Sequence, residues 1–402
     1  MAQKSTVTPV RRLLILVAGT SIAWVSIGVT ADRALGSRFP SLAVLVWPEG
    51  VSGKIASVTG LLKAGSLAPQ TIAEARSAIR LAVLREPVNS ATVASYAALA
   101  DLSGEPDTAR RFFELSETLS RRNMLAQTWI IEDSVRRGDV AEAIVHYNRA
   151  LAVSEPLRAQ LLPILAAAAS DPEIGAHLWP LLSRRPPWWR QFLTELAKSS
   201  DSGLALSNAA RASLLNGNDS SDAALAELIL RRMISLKEYR SATSLVEALA
   251  GRRSVTRGLV GGDFNAPEGI LPFGWWLSDG ADVRAFRDQL HGGIVLRIEE
   301  SSGVTGGAAQ QLIALSPGAY TLSGTVGNHS PSDRTGVSIA IACAGGSELN
   351  RIKLPTAGPT GQHFVANFTV PRSDCEAQWL NIVATSDEAI QAWLDKLRVS
   401  KA

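Results

Sequence analysis

Cysteine is almost missing. Cys343 and Cys375 are the two thiols in 402 residues, and both fall in the last stretch of the chain. Two cysteines are too few for a zinc site of cysteine alone, but they suit a single disulfide in an oxidising compartment. The five histidines, His146, His177, His291, His329 and His363, show no His-x-x-x-His or comparable ligand spacing. No Gly-x-Ser-x-Gly elbow, phosphate loop or obvious pair of placed carboxylates occurs, so the chain is not expected to be an enzyme. A surplus of one charge is missing too. Lys plus Arg is 40 against 37 acidic residues, a net +3. Arginine pairs such as Arg121-Arg122, Arg136-Arg137 and Arg231-Arg232 are scattered, as on solvated helix faces. Nucleic acid, which asks for a concentrated basic surface, is therefore not an expected partner. Apolar residues are not lacking: at 46% of the chain they suffice for real cores, and the length suits two to three domains.

Charge is absent altogether from Leu13 to Thr30. As a helix, that run reaches roughly 27 Å, close to the thickness of a bilayer core. Residues 1–12 before it carry Lys4, Arg11 and Arg12 and no acid. The expectation is a cytoplasmic tail over 1–12, a transmembrane helix over 13–30 and a linker over 31–69. A cleaved signal is the alternative, but its apolar core is usually about 7–15 residues long, and Val29-Thr30-Ala31 is a poor cleavage match. The basic flank orients the N-terminus to the cytoplasm. This gives a single-pass protein of a bacterial inner membrane, bulk periplasmic, where a disulfide can persist.

Residues 70–255 repeat. Ala75, Ile79, Ala82 and Pro87 become, 34 positions on, Ala109, Phe113, Ser116 and Arg121, and after another 34, Ala143, Tyr147, Ala150 and Glu155. Gly104 and Gly138 share the same offset. This spacing puts three residues on one helical face. Small residues there allow a paired helix to approach closely, and a hairpin that cannot bury its face alone must stack on another. The pattern resembles the tetratricopeptide repeat, which implies an all-α array holding a protein partner. Residues 237–249 look like one more second helix of this kind. Arg184-Arg185-Pro186-Pro187-Trp188-Trp189 interrupts the helical run, and its tryptophans are expected to cap a helical block. Asn216 to Ser221 reads as a loop.

From residue 258 the period falls from about 3.6 to 2. Residues 294–298, 320–326, 337–343 and 364–370 alternate apolar with polar, the mark of an antiparallel sandwich, and Ser316-Pro317-Gly318 is a turn between strands. Cys343 sits in the inward register, with Cys375 at the mouth of a following strand. A bond between them closes a loop worth roughly 3 kcal/mol in the chain-entropy model.

Gly262-Asp263-Phe264-Asn265, Pro272-Phe273-Gly274-Trp275, Leu315 to Ser323 and Ala392 to Val399 resemble the first strand, following Trp, mid-domain turn and closing strand of carbohydrate-binding modules. The resemblance covers residues 258–402 and implies an all-β jelly-roll that binds glycan. It also implies a structural calcium, for which Asp263 and Asp395 are the candidates; Asn265 stands where an acid is commoner. No other cofactor is expected. Sugar recognition stacks an aromatic face on a pyranose, and Trp275, Trp276, Trp379 and Trp393 are the candidates. Adjacent residues of an extended strand face opposite ways, so one of Trp275 and Trp276 is expected outside, and Trp276 is the choice. The combined expectation is a non-enzymatic binding or scaffold protein linked to surface polysaccharide biosynthesis or export, the repeats binding protein and the jelly-roll binding glycan. The alternative is a pure assembly scaffold with a structural sandwich.

Overall fold

The computed structural model describes residues 9–64, 68–217, 219–249, 258–265, 269–290, 292–301, 304–329, 336–385 and 389–402, with side chains from residue 17 onward, Gly19 excepted. The chain divides into two compact units, Met1–Arg158 and Ala159–Ala402.

The first unit is helical: α1 (Pro9–Leu35), α2 (Pro40–Val46), α3 (Ser52–Ala64), α4 (Pro69–Arg85), α5 (Ser90–Leu102), α6 (Pro106–Leu119), α7 (Met124–Arg137) and α8 (Val140–Val153). The 34-residue spacing lands on α4, α6 and α8, where Ile79, Ala82, Ala109, Phe113, Ala143 and Ala150 are all buried. Phe113 stacks on Trp129 of α7 with ring centroids 4.6 Å apart. Between α7 and α8 the chain turns at Gly138, in the left-handed region at φ 74°, which favours glycine. Asp139 then caps α8 by accepting from the Glu142 N–H at 2.9 Å. Asp133 on α7 accepts from Arg110 Nε at 2.9 Å and Arg137 Nε at 3.0 Å. These bonds, the Arg110 bond first, hold its carboxyl below the usual aspartate range.

The expected membrane span over 13–30 is corrected. Its residues are helical within α1, but among the described residues no helix is long and apolar enough to cross a membrane. The single-pass inner-membrane placement falls with it. In the described part of the run the apolar side chains are interrupted by Thr20, Ser21, Ser26, Gly28 and Thr30. Three of these hydroxyls bond back to helix carbonyls, Thr20 and Ser21 to Val17 O and Thr30 to Ser26 O. The end of the run is tied to protein. A Cβ on Gly28 would fall 2.0 Å from the Trp47 ring. Asp32, 7% exposed, accepts from the N–H groups of Val51, Ser52 and Gly53 at 3.0–3.1 Å, holding the start of α3 as a carboxylate at a helix N-terminus does. The stretch 31–69 contains α2 and α3, with residues 65–67 outside the described residues. Of the expected tail 1–12, residues 1–8 also lie outside them.

After α9 (Glu155–Ala168), which spans the unit boundary, the second unit holds α10 (Pro172–Leu182), α11 (Trp189–Ser199), α12 (Gly203–Ala212), α13 (Ser220–Ser235) and α14 (Tyr239–Leu249). The Arg184 to Trp189 break falls between α10 and α11. Trp188 and Trp189 are both buried there, and Arg185 and Arg190 lie over the Trp189 ring at 4.8 and 4.4 Å.

The same unit ends in a β-sandwich of β1 (Trp276–Leu277), β2 (Val283–Leu290), β3 (Gly293–Glu300), β4 (Thr305–Ile313), β5 (Gly318–Asn328), β6 (Val337–Cys343), β7 (Glu348–Lys353), β8 (Gln362–Val370), β9 (Gln378–Thr385) and β10 (Ile390–Lys401). One sheet runs β1-β4-β9-β6-β7 and the other β2-β3-β10-β5-β8, every pair of neighbours antiparallel. Leu296, Ile298, Leu322, Val326, Ile339, Ile341, Leu380, Ile382 and Leu394 fill the space between them. Two buried glutamines tie loops to this core. Gln311 accepts from Val260 N and donates to Val260 O, both at 3.0 Å. Gln378 accepts from Leu315 N at 2.9 Å and donates to Cys375 O at 2.8 Å. Each amide pairs with backbone N–H and C=O groups as a strand neighbour would. Cys343 and Cys375 are bonded, with Cα atoms 5.0 Å apart and a separation of 32 in sequence.

Two outcomes follow. Replacing both Cys343 and Cys375 by Ala lowers sandwich stability by about 3–4 kcal/mol, read as an earlier denaturant midpoint that a reducing agent reproduces in the native chain and not in the variant. The second concerns His146, buried on α8 with Nδ1 2.6 Å from Gln127 Oε1. Burial, then the charge of Arg149, pulls its pKa below the ordinary imidazole value of 6.5, with Glu117 and Glu142 opposing. The unfolded chain therefore takes up the proton first. The contribution of the neutral ring is fully present above the ordinary value and is lost as pH falls through it toward the folded one. Thermal melts from about pH 7.5 to about pH 5.5 should show the first unit weakening, with a flatter slope in His146→Gln.

Candidate functional site

Two tryptophans adjacent in sequence separate at β1. Trp275 is 1% exposed. Its Nε1 donates to Gly261 O at 3.2 Å, and its ring lies 5.4 Å from that of Phe264. Trp276, next along the extended chain, is 37% exposed. Pairing of β1 with β4 sets Trp276 opposite Gln310. Gln310 faces Asn381 on β9, Asn381 faces Ala340 on β6, and Ala340 faces Arg351 on β7. One row of side chains thus crosses the outer face of the first sheet. The next row on the same face sets Leu312, Trp379, Ala342 and Glu348 side by side. Trp276 and Trp379 are two strands apart, a lateral separation of roughly 10 Å at ordinary strand spacing.

Around this pair lies a cleft of about 480 Å³ lined by Trp276, Gln310 and Trp379 from the sheet, Leu271 and Pro272 from the loop before β1, and Arg231 and Ile234 from α13. The sheet supplies its floor and the helix part of its wall. Among the described residues the lining offers two indole rings, one amide and one guanidinium, and no carboxylate. A second cleft, of about 560 Å³, lies where α14 meets the turns before β5 and β9. It is spanned by the Arg240–Glu376 ion pair at 2.9 Å.

The other expected site residues divide. Trp379 joins Trp276 at the cleft. Trp275 belongs to the core. Trp393 is 6% exposed, on the outer face of the second sheet, where its ring covers Gly327 and Gly361; a Cβ on either would meet it at 2.3–2.4 Å. Asp395 accepts from Lys396 N at 2.6 Å, while Asp263 is exposed and accepts from Asn265 N at 3.4 Å. Their segments do run together, for Leu397 N donates to Gly262 O at 2.8 Å. Among the described residues no group of three or more His, Cys, Asp or Glu is placed to hold a metal.

No family model and no curated protein matches the chain, so the tetratricopeptide likeness stays a likeness of pattern. Solved structures do align with it. A carbohydrate-binding module of family 4 shares 17% identity at a TM-score of 0.29, over 36% of this chain and 99% of its own. The xylan-binding CBM22-1 domain of Paenibacillus barcinonensis Xyn10C shares 12% at 0.27, over 35% and 90%. A module from Cellvibrio mixtus lichenase 5A, solved with cellotriose, shares 15% at 0.23, over 33% and 99%. The all-β region resembles the jelly-roll of such modules. The residues of the cleft itself decide what it can hold.

Sequence reading missed Gln310, Arg231 and Ile234. A register shift between Gly307 and Ala309 breaks the alternation that would have marked Gln310 as outward-facing. Arg231 and Ile234 reach the cleft only through tertiary packing, for which the sequence carries no local signal.

The tryptophan pair yields a contrast. Trp275→Ala should cost about 3–5 kcal/mol of stability by opening a core cavity. Trp276→Ala should change it by no more than about 0.5 kcal/mol. Denaturant midpoints of the two variants, measured side by side, check this.

Proposed function

We propose that the sandwich is a non-catalytic glycan-binding module whose ligand lies in the cleft of Trp276 and Trp379. The observation that carries the reading is the placement of two indoles on one sheet face, two strands apart, with Gln310 and Asn381 in the row between and beside them. A pyranose has an apolar C–H face and a rim of hydroxyls. Indole rings take the face by stacking, and side-chain amides take the rim by hydrogen bonds. The cleft volume falls within the usual range of about 300–1,000 Å³ for small-ligand sites. Hydrolysis of a glycosidic bond needs two placed carboxylates; a lining with none among the described residues suits holding a sugar chain. We read the helical first unit as an element for a protein partner. In support, a groove of about 720 Å³ beside α4 and α5 combines the apolar Ile72 and Leu102 with Arg76, Arg80 and Tyr96, the mixture that protein contacts favour.

Affinity electrophoresis and glycan-array binding of the full chain test the reading. Retardation by at least one polysaccharide is expected, with Trp276→Ala and Trp379→Ala each weakening it about tenfold or more. Absence of binding to every glycan would leave the sandwich as a structural cap on the helices.

A further inference from the structure

We infer that Arg231 makes the cleft selective for a sugar that carries a carboxylate, such as a hexuronate; this rests on the glycan reading above and names its substrate class. Arg231 and Ile234 lie one helical turn apart, on the face of α13 turned to the cleft. The opposite side is anchored, for Ile229 and Met233 are fully buried and Arg232 Nε donates to Ser200 O at 2.7 Å. The wall is therefore a fixed part of the fold. Within it Arg231 is oriented. Its Nε and Nη2 both donate to a single oxygen of Glu227, at 2.9 and 2.6 Å. Of the five donors of a guanidinium, this leaves the Nη1 edge without a bond among the described residues.

Among the described residues Arg231 is the one charged side chain in the lining. Glu227, its partner, is outside the lining, and among the described residues no other carboxylate lines the cleft. The geometry then matters. The floor is aromatic, so a sugar ring stacks with its plane along the sheet. The substituent on C5 of a pyranose projects from the ring edge, sideways toward a wall. In a neutral hexose that substituent is a hydroxymethyl group; in a hexuronate it is a planar carboxylate, the shape that a guanidinium edge binds with paired, charge-assisted hydrogen bonds. Indoles below and a guanidinium at the side are two independent contacts to two faces of one acidic sugar.

The test uses the full chain with trigalacturonate and tetramannuronate, each against its own methyl ester, so that linkage and ring are unchanged and only the charge is removed. The native protein should bind at least one uronate about tenfold more tightly than its ester at low salt, the ratio shrinking as salt rises. Arg231→Gln should bring the uronate down to the level of the ester, and Arg231→Lys should restore part of the preference. Trp276→Ala should weaken acid and ester together. Equal binding of acid and ester by the native chain, or a preference that survives Arg231→Gln, overturns the role of Arg231 and leaves the glycan reading standing. Failure of every saccharide, acidic and neutral, to bind overturns the glycan reading itself.

Discussion

The burial of Trp275 is the constraint on which the cleft depends. An indole that size, with its N–H committed to Gly261 O, sits in the sandwich in one register. Because side chains alternate along an extended strand, fixing Trp275 inward fixes Trp276 outward. The short pairing of β1 with β4 then carries that choice across the sheet, from Trp276 to Gln310 to Asn381. A slip of one residue would exchange the two tryptophans and dismantle both the core and the cleft. The sharp contrast in exposure between two chemically identical neighbours is thus a consequence of packing on the far side of the strand.

That logic explains which parts of the molecule could be read from sequence. The strands at 294–298, 320–326, 337–343 and 364–370 stand as β3, β5, β6 and β8; β5 and β8 each have one buried and one more open face, and a period of 2 is the direct imprint of that asymmetry. The Cys343–Cys375 bond was legible for the same reason: one thiol sits in an inward register and the other at a strand mouth. β4 was not legible, since its register shift and its Gly306-Gly307-Ala308-Ala309 run scramble the alternation. The cleft wall was the least visible part. Nothing in the residues around Arg231 announces that α13 ends beside a tryptophan more than 40 positions later.

The N-terminal run shows how composition can mislead in the other direction. An uncharged stretch of apolar residues invites a membrane reading, yet a helix of this kind is also defined by what its end touches. Asp32 closes the run by taking three backbone N–H groups of the α3 start, and Gly28 is small because an indole ring occupies the space beside it. A carboxylate so engaged is costly to withdraw from its partners. The tie between α1 and α3 is therefore a fold-forming contact, and it connects the run to the helical unit.

The position of α13 bears on what kind of recognition the sandwich can perform. A bare sheet face offers stacking and hydrogen bonds from below, and such contacts distinguish sugars weakly, because most pyranoses share an apolar face and a ring of hydroxyls. Discrimination needs a group that meets the ligand from a second direction, as differences between sugars lie mainly at the ring edge. In the proposed reading the second unit supplies this by folding helix and sandwich together: Ile229 and Met233 anchor α13 away from the cleft, and the other side of the same helix presents a charge. Glu227 adds to this. By holding Nε and Nη2 it restricts the rotamers of a long side chain before any ligand arrives, so less conformational entropy is lost on binding. In the proposed reading, the same helix serves stability through one face and specificity through the other.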